Sequence, residues 1–174
     1  MTNPLPAPAG SQRTGGVACV SMDDKRWQYC HIKSTSLLGN IFAAQYAAEN
    51  DAVETILFRD NFLTEASSSN VWIVKNGAVM GPPTDHLILE GIRYGLLQEL
   101  CEQLHIPFIV ANISRAEVFA ADEVLLSSAT KEVLPVKSLD GAMIGAGRPG
   151  PVYLKLYAGY QQAKLGTVRT TTLA

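Results

Sequence analysis

The first half of the chain alternates short apolar runs with polar turns, which is typical of β-strands. Residues 17–20, 55–59 and 71–74 are rich in β-branched and other apolar side chains. Asn76-Gly77 separates the last of these runs from Ala78-Val79-Met80, and Asn-Gly between apolar runs favours a tight hairpin. We therefore expect antiparallel strand pairing in this half.

Other segments carry apolar residues at helical spacing. The positions are Leu37, Leu38, Ile41, Phe42 and Ala48 in the first, and Ile92, Leu96, Leu97, Leu100 and Leu104 in the second. Pro107 would end the second helix, and strand character returns at residues 108–110, 124–126 and 133–136. Pro151 suits the first turn of a closing helix that runs to about Lys164. This order of elements predicts a compact α+β domain.

Length and composition favour one domain in a chain of 174 residues, 47% of which are hydrophobic. Six Pro and Gly residues between Pro4 and Gly16 predict a disordered linker over residues 1–16. The folded domain is then expected over residues 17–166, and residues 167–174 form a tail.

Charge and cysteine content exclude several functions. The formal charge is −2 and no basic run is present, so a nucleic-acid partner is not expected. The N-terminal segment lacks the basic residues and the apolar region of a signal peptide, and no apolar stretch reaches membrane-spanning length. These features favour a soluble, cytoplasmic protein. The three cysteines have no CxxC spacing and no histidines at zinc-ligand spacing, so we expect no metal site and three core thiols in a reducing compartment.

Four features could carry chemistry, although each has an ordinary structural interpretation. Lys33 precedes a helix in a segment with little other positive charge, yet a lone lysine is usually solvated. Glu65 is followed by Ser67–Asn70, a run that equally suits a loop. Helix starts such as residues 89–93, and turns such as Ser127–Thr130, can both bind phosphate but are common.

Together these features resemble the fold-type IV aminotransferases that use pyridoxal 5′-phosphate (PLP), the family of the D-amino-acid and branched-chain enzymes. The resemblance spans residues 17–164, and several motifs in the correct order are more specific than any one of them. The matching segments are Arg26–Ser34, Leu37–Asn40, Thr64–Val71, Leu89–Ile92, Ser127–Val136 and Gly145–Pro151. The resemblance implies the larger domain of that fold, a mixed, largely antiparallel sheet or pseudo-barrel packed with helices.

The resemblance also implies a role for each matching residue. Lys33 would form the Schiff base with PLP and shuttle a proton during transamination, and Glu65 would keep the pyridine nitrogen protonated. Leu89 would pack on the ring, and Arg26 would lie near the cofactor hydroxyl. The phosphate would be held by the backbone N–H groups of Ile92 and Arg93 and by Ser128 and Ala129.

Several residues depart from the family pattern. Arg93 and Ala129 stand where threonines usually donate hydroxyls to the phosphate, so two hydrogen bonds would be lost unless the guanidinium of Arg93 turns to the phosphate. His31 stands where aspartate is frequent and would alter the charge near Lys33. The resemblance starts at the family's interdomain linker. We therefore expect the smaller N-terminal domain to be missing and transamination by this chain alone to be very slow.

The leading hypothesis is a D-amino-acid aminotransferase domain, whose substrates are an amino acid and a 2-oxo acid. A branched-chain aminotransferase or an aminodeoxychorismate lyase is the alternative within the same family. A non-catalytic remnant that binds PLP weakly or not at all is the alternative outside it. The family resemblance further implies a homo-oligomer, at least a dimer.

Overall fold

The computed structural model describes the backbone of residues 7–171 and the side chains of residues 7–165. Its helices are α1 (Gly10–Gly15), α2 (Leu38–Glu49), α3 (Ile92–Gln103), α4 (Arg115–Phe119) and α5 (Pro151–Thr171). Its strands are β1 (Val17–Asp23), β2 (Glu54–Arg59), β3 (Phe62–Ala66), β4 (Asn70–Lys75), β5 (Ala78–Gly81), β6 (Phe108–Val110), β7 (Glu123–Ser128), β8 (Glu132–Leu139) and β9 (Ala142–Met143).

Within the described residues, these strands form one mixed sheet in the order β3-β2-β1-β8-β7-β4-β5-β6, and β9 pairs with β8. The pairs β1–β2, β1–β8 and β5–β6 are parallel, and the other pairs are antiparallel. The sheet curls into a half-barrel. A tight turn of three residues, Ser67–Ser69, joins the end of β3 to the start of β4. The α+β class and the largely antiparallel sheet expected from the sequence are therefore confirmed.

The Asn-Gly turn forms the predicted hairpin. Asn76 and Gly77 have φ values of 51° and 77°, and β4 pairs with β5 through Val74 and Val79. Positive φ at both central residues is the geometry that matches the twist of the flanking strands, and Asn-Gly tolerates it best.

Two apolar cores cover the two faces of the sheet. One core lies on the face of the sheet opposite helices α3 and α5 and includes Ile56, Phe58, Ile73, Val124 and Leu126. The other core lies between the sheet and helices α3 and α5, and includes Trp72, Leu97, Leu100, Leu125 and Leu156. Alternate residues of β4 and β7 enter opposite cores because successive side chains of a strand point to opposite faces.

Helix α2 forms where the apolar spacing predicts it, but its large apolar residues are not its packing face. Ala43 and Ala47 are buried against the sheet, whereas Leu38, Ile41 and Phe42 are each at least 60% exposed. Small residues allow α2 to approach β2 closely, and the Thr55 hydroxyl donates to the Ala43 carbonyl at 2.6 Å. The exposed side chains form an apolar patch that a dimer would cover, and dimerisation stays a prediction.

The N-terminal segment differs from the predicted linker, because Gly10–Gly15 is helical. Arg13 ties this short helix to the domain through an ion pair of 2.9 Å with Glu132 and a hydrogen bond to the Tyr157 hydroxyl. Partners on β8 and α5 therefore order a segment whose composition favours mobility. Residues 1–6 of the predicted linker and residues 172–174 of the predicted tail lie outside the described residues.

The three cysteines are buried and form no disulfide, as predicted. Burial raises the pKa of the Cys101 thiol to about 11, which keeps it protonated and unreactive. Over the part of the chain that the structure describes, no helix combines the length and apolar character needed to cross a membrane.

Candidate active site

A cavity of about 740 Å³ opens where the ends of β3 and β7 meet the starts of β4 and α3. Its size suits a small organic ligand. The predicted site residues that line it are Lys33, Glu65, Leu89, Ile92, Ser128 and Ala129. Folding thus brings together residues that are up to 96 positions apart, since the chain numbers run from 33 to 129.

Lys33 lies on the loop before α2 and is exposed at the rim of the cavity. It also lines a smaller neighbouring cavity of about 100 Å³, together with Arg26 and Glu65. Its amine forms no hydrogen bond or ion pair among the residues that the structure describes. Lys33 and Glu65 therefore face common space, as the predicted roles require.

Glu65 is the penultimate residue of β3, and it is buried, with 6% of its surface exposed. One carboxylate oxygen accepts a hydrogen bond from Arg26 Nη1, and the other accepts from the Leu89 backbone N–H at 3.1 Å. Burial raises the pKa of Glu65 above its ordinary value, although the charge and hydrogen bond of Arg26 act against this rise.

Sequence reasoning missed Asp24, which follows β1 and anchors Arg26. Arg26 Nε and Nη2 donate to the two carboxylate oxygens of Asp24 at 2.9 and 2.8 Å. Thr64 and Arg59 also contact Asp24, at 2.9 and 3.2 Å. Burial would raise the pKa of Asp24, but the hydrogen bonds and charge of Arg26 hold it below its ordinary value.

Asn70 holds the start of α3 in position beside the cavity. The Asn70 amide donates to the Leu89 carbonyl at 2.8 Å and accepts from the Gly91 N–H at 3.2 Å. A Cβ at Gly91 would lie 2.5 Å from the Asn70 amide oxygen, so only glycine permits this approach. The first-turn N–H groups of Ile92 and Arg93 have no carbonyl partner within the helix and can bind an anion.

The side chain of Arg93 points away from the cavity. Its guanidinium lies 5.2 Å from the ring centroid of Tyr160 on α5, and Arg93 does not line the cavity. The guanidinium therefore does not replace the threonine hydroxyl that the family pattern places there. A contribution of Arg93 to phosphate binding would come from its backbone alone.

The adjacent serines surround Glu54, a buried carboxylate on β2 that the sequence reasoning did not select. The hydroxyls of Ser67, Ser68 and Ser69 donate to Glu54, as does the Ser68 backbone N–H at 3.1 Å. Lys131 Nζ donates to the same carboxylate at 2.7 Å. Burial would raise the pKa of Glu54, but Lys131 and the serine hydroxyls hold it below its ordinary value. The serine run was the only signal in the sequence, and it did not identify its partner.

The turn between β7 and β8 presents small polar residues to the same cavity. Ser128 is half-buried, and its hydroxyl accepts from the Lys131 backbone N–H at 3.1 Å. The Ser127 hydroxyl is fully buried and accepts from the Trp72 indole N–H at 2.9 Å, so it serves the core. Ser128 is therefore the hydroxyl of this pair that can reach a ligand.

The functional groups of this cavity fit PLP in number and kind. The cofactor has an aldehyde, a ring nitrogen and a phosphate, and the cavity offers an exposed amine, a buried carboxylate, and hydroxyls beside a helix start. Leu89 adds an apolar side chain to the lining of the same cavity. No cluster of His, Cys, Asp and Glu suited to a metal ion occurs within the described residues.

Comparison with known proteins gives an independent result. The family model described as "Amino-transferase class IV" matches residues 1–139. A D-alanine aminotransferase from Bacillus licheniformis is 38% identical over 170 residues, which are 98% of this chain and 60% of that protein. The chain thus spans about three fifths of the length of this relative.

Solved structures match the same region. A branched-chain aminotransferase from Thermoproteus uzoniensis, determined with norvaline, has a TM-score of 0.85 and 27% identity, and the match covers 94% of this chain and 55% of that one. A putative 4-amino-4-deoxychorismate lyase from Legionella pneumophila has a TM-score of 0.76 and 25% identity over 84% of this chain and 55% of that one.

Proposed function

This chain belongs to the amino-transferase class IV family, and from that membership we propose that it binds PLP in the 740 Å³ cavity. We further propose that the protein moves an amino group between a D-amino acid and a 2-oxo acid. The observation that carries the proposal is that Lys33 and Glu65 line this one cavity although they lie on separate elements.

Each part of the cofactor has a partner in this chain. Lys33 would hold the aldehyde end, Glu65 the ring nitrogen, and Leu89 one face of the ring. The phosphate would lie at the start of α3, between the backbone N–H groups of Ile92 and Arg93 and the hydroxyl of Ser128. When bound, PLP supplies an electron sink that makes the α-hydrogen of an amino acid acidic.

The side chains of this chain supply the remaining chemistry. The Lys33 amine is exposed at the rim of the cavity, where it can take a proton from a substrate carbon and return it. Glu65 in its ionised form holds a proton on the ring nitrogen through a charge-assisted hydrogen bond. Leu89 would shield one face of the ring from water, which would strengthen these electrostatic interactions.

The D-amino-acid preference rests on relatives rather than on geometry. The Bacillus licheniformis relative, which is 38% identical, is named a D-alanine aminotransferase. The branched-chain aminotransferase and the lyase resemble this chain in fold at 27% and 25% identity. A comparison of D-alanine, L-leucine and aminodeoxychorismate as substrates would distinguish these activities.

Reduction with borohydride tests the proposal directly. We expect PLP added to the protein to produce a visible absorbance band at a longer wavelength than that of the free cofactor. Reduction should then attach one cofactor covalently to Lys33, which peptide mass spectrometry would detect as added mass. Lys33→Ala should abolish the adduct, because no other lysine lines the cavity among the described residues. Lys75→Ala is a matched control on the exposed hairpin and should leave the adduct unchanged. A wild-type protein without adduct would favour the non-catalytic interpretation.

A further inference from the structure

We propose that Arg26 is a positioning residue that acts through Glu65, keeping this carboxylate ionised and oriented toward the cavity, and that Asp24 anchors Arg26 for this purpose. Resemblance alone assigned Arg26 to the hydroxyl side of the cofactor. The importance of an ionised Glu65 for the cofactor rests on the proposed function, whereas the effect of Arg26 on Glu65 can be measured without cofactor.

The donors of Arg26 are almost all used within the protein. A guanidinium carries five N–H groups. Nε and Nη2 donate to Asp24, Nη2 also donates to the Leu87 carbonyl at 3.2 Å, and Nη1 donates to Glu65. At most one N–H group is left for a ligand, so the main effect of Arg26 on the cavity must pass through Glu65.

The stem of Arg26 is also held in place. The residue is 9% exposed, and a Cβ at Gly39 would lie 2.8 Å from Arg26 Cγ and 3.3 Å from its Cα. The side-on pair with Asp24 fixes the plane of the guanidinium, because both carboxylate oxygens are engaged. Nη1 is thereby aimed at Glu65.

The charges of this cluster balance. Asp24 and Glu65 are two carboxylates, and Arg26 and Arg59 are two guanidinium groups in contact with them. Buried charges are stable only when they are paired. An ionised Glu65 without Arg26 would be a buried charge that still experiences the repulsion of the Asp24 carboxylate.

The other titratable groups around Glu65 do not substitute for Arg26. Lys33 and Glu90 line the same cavity from the loops before α2 and α3, and Cys30 lines the smaller cavity beside it. Lys33 is the only cation of these three, and it forms no ion pair with Glu65 in the described structure. Burial raises the pKa of Glu65, and Arg26 is the first of the groups that oppose this rise.

The experiment is a pH titration of Glu65 in cofactor-free protein. The protonation of Glu65 is monitored by NMR, with glutamate labelled with ¹³C at the side-chain carboxyl group. Glu65→Gln identifies the resonance. We expect Arg26→Gln to move the titration midpoint upward by about one pH unit or more, the usual effect of losing an opposite charge in direct contact. Arg115→Gln removes an arginine from the exposed pair with Asp23 and should leave the midpoint unchanged.

A double variant keeps the test decisive if Arg26→Gln does not fold. Asp24→Asn with Arg26→Gln removes both members of the buried pair, which is less harmful than leaving one charge unpaired. The charge of Asp24 raises the pKa of Glu65, so its loss opposes the effect of losing Arg26. Because Arg26 has the larger effect, the midpoint should still rise.

An unchanged midpoint in both variants would overturn the inference even if PLP binds to Lys33. A raised midpoint would support it even if no PLP adduct forms. Since the titration contains no cofactor, the failure of the proposed function and the failure of this inference are distinguishable.

Discussion

Replacing Glu54 by glutamine should destabilise the fold far more than its near-identical shape suggests. Glu54 is 1% exposed and accepts five hydrogen bonds. Oε1 accepts from Lys131 Nζ, and Oε2 accepts from the Ser68 backbone N–H. An ammonium and an amide N–H can only donate. Whichever oxygen becomes the NH₂ group of glutamine, one obligate donor loses its acceptor.

The magnitude follows from the burial of this pair. Breaking a buried ion pair by removing one partner costs about 3–5 kcal/mol. The Lys131 side chain is 19% exposed, so water can partly solvate its ammonium group once the carboxylate is lost. We therefore expect Glu54→Gln to lower the free energy of unfolding by about 3 kcal/mol at neutral pH.

The effect should depend on pH in a defined direction. The pKa of Glu54 is lower in the folded protein than its ordinary value. The stabilisation is therefore fully present above the unfolded value of about 4.3 and is lost as the pH falls through the lower folded value. The difference between wild type and variant should be largest near neutral pH and should shrink in acid.

Urea unfolding followed by tryptophan fluorescence, at neutral pH and at a pH below the unfolded value, measures both quantities. Glu49→Gln is the control, because Glu49 is exposed and its carboxylate forms a single hydrogen bond among the described residues, from the Gln45 amide at 2.9 Å. It should change stability by less than about 0.5 kcal/mol. This account of Glu54 and its serine partners would be refuted if the free energies of unfolding of Glu54→Gln and wild type differ by less than about 1 kcal/mol. A difference that does not depend on pH would refute it as well.

Two further predictions concern the cavity. Glu65→Gln should leave the PLP adduct intact but slow exchange of the α-hydrogen of D-alanine by roughly two orders of magnitude, as expected when one charge-stabilising group is lost; equal exchange rates by NMR in D₂O would contradict its role. Gly91→Ala should lower the free energy of unfolding, measured with urea, by about 1–3 kcal/mol. Its Cβ would lie 2.5 Å from the Asn70 amide oxygen and would break the hydrogen bond between Asn70 and the Gly91 N–H. Gly95→Ala, in the same helix with nothing within 4 Å, should instead stabilise by about 0.5–1 kcal/mol.

Some elements that the apolar spacing did not predict had other signals in the sequence. Helix α4 begins with a capping box. The Ser114 hydroxyl accepts a hydrogen bond from the Glu117 backbone N–H, and the Glu117 carboxylate accepts one from the Ser114 backbone N–H. The Ser-x-x-Glu spacing is visible in the sequence and could have identified this helix. Helix α1 has no such signal, because its partners Glu132 and Tyr157 are more than 100 residues away.

The local pattern of this sequence was sufficient for strands β1, β2 and β4 to β8, for the hairpin turn and for the three long helices, because hydrophobic periodicity and turn chemistry act between near neighbours. Resemblance added Lys33 and Glu65 as a pair, and the fold places both on one cavity. Only the tertiary structure decided that the serines serve Glu54, that Arg93 turns to Tyr160, and that alanines form the packing face of α2. These contacts join positions such as 54 and 131, which are 77 residues apart. Burial makes such pairings energetically decisive, and burial is set by the curl of the whole sheet.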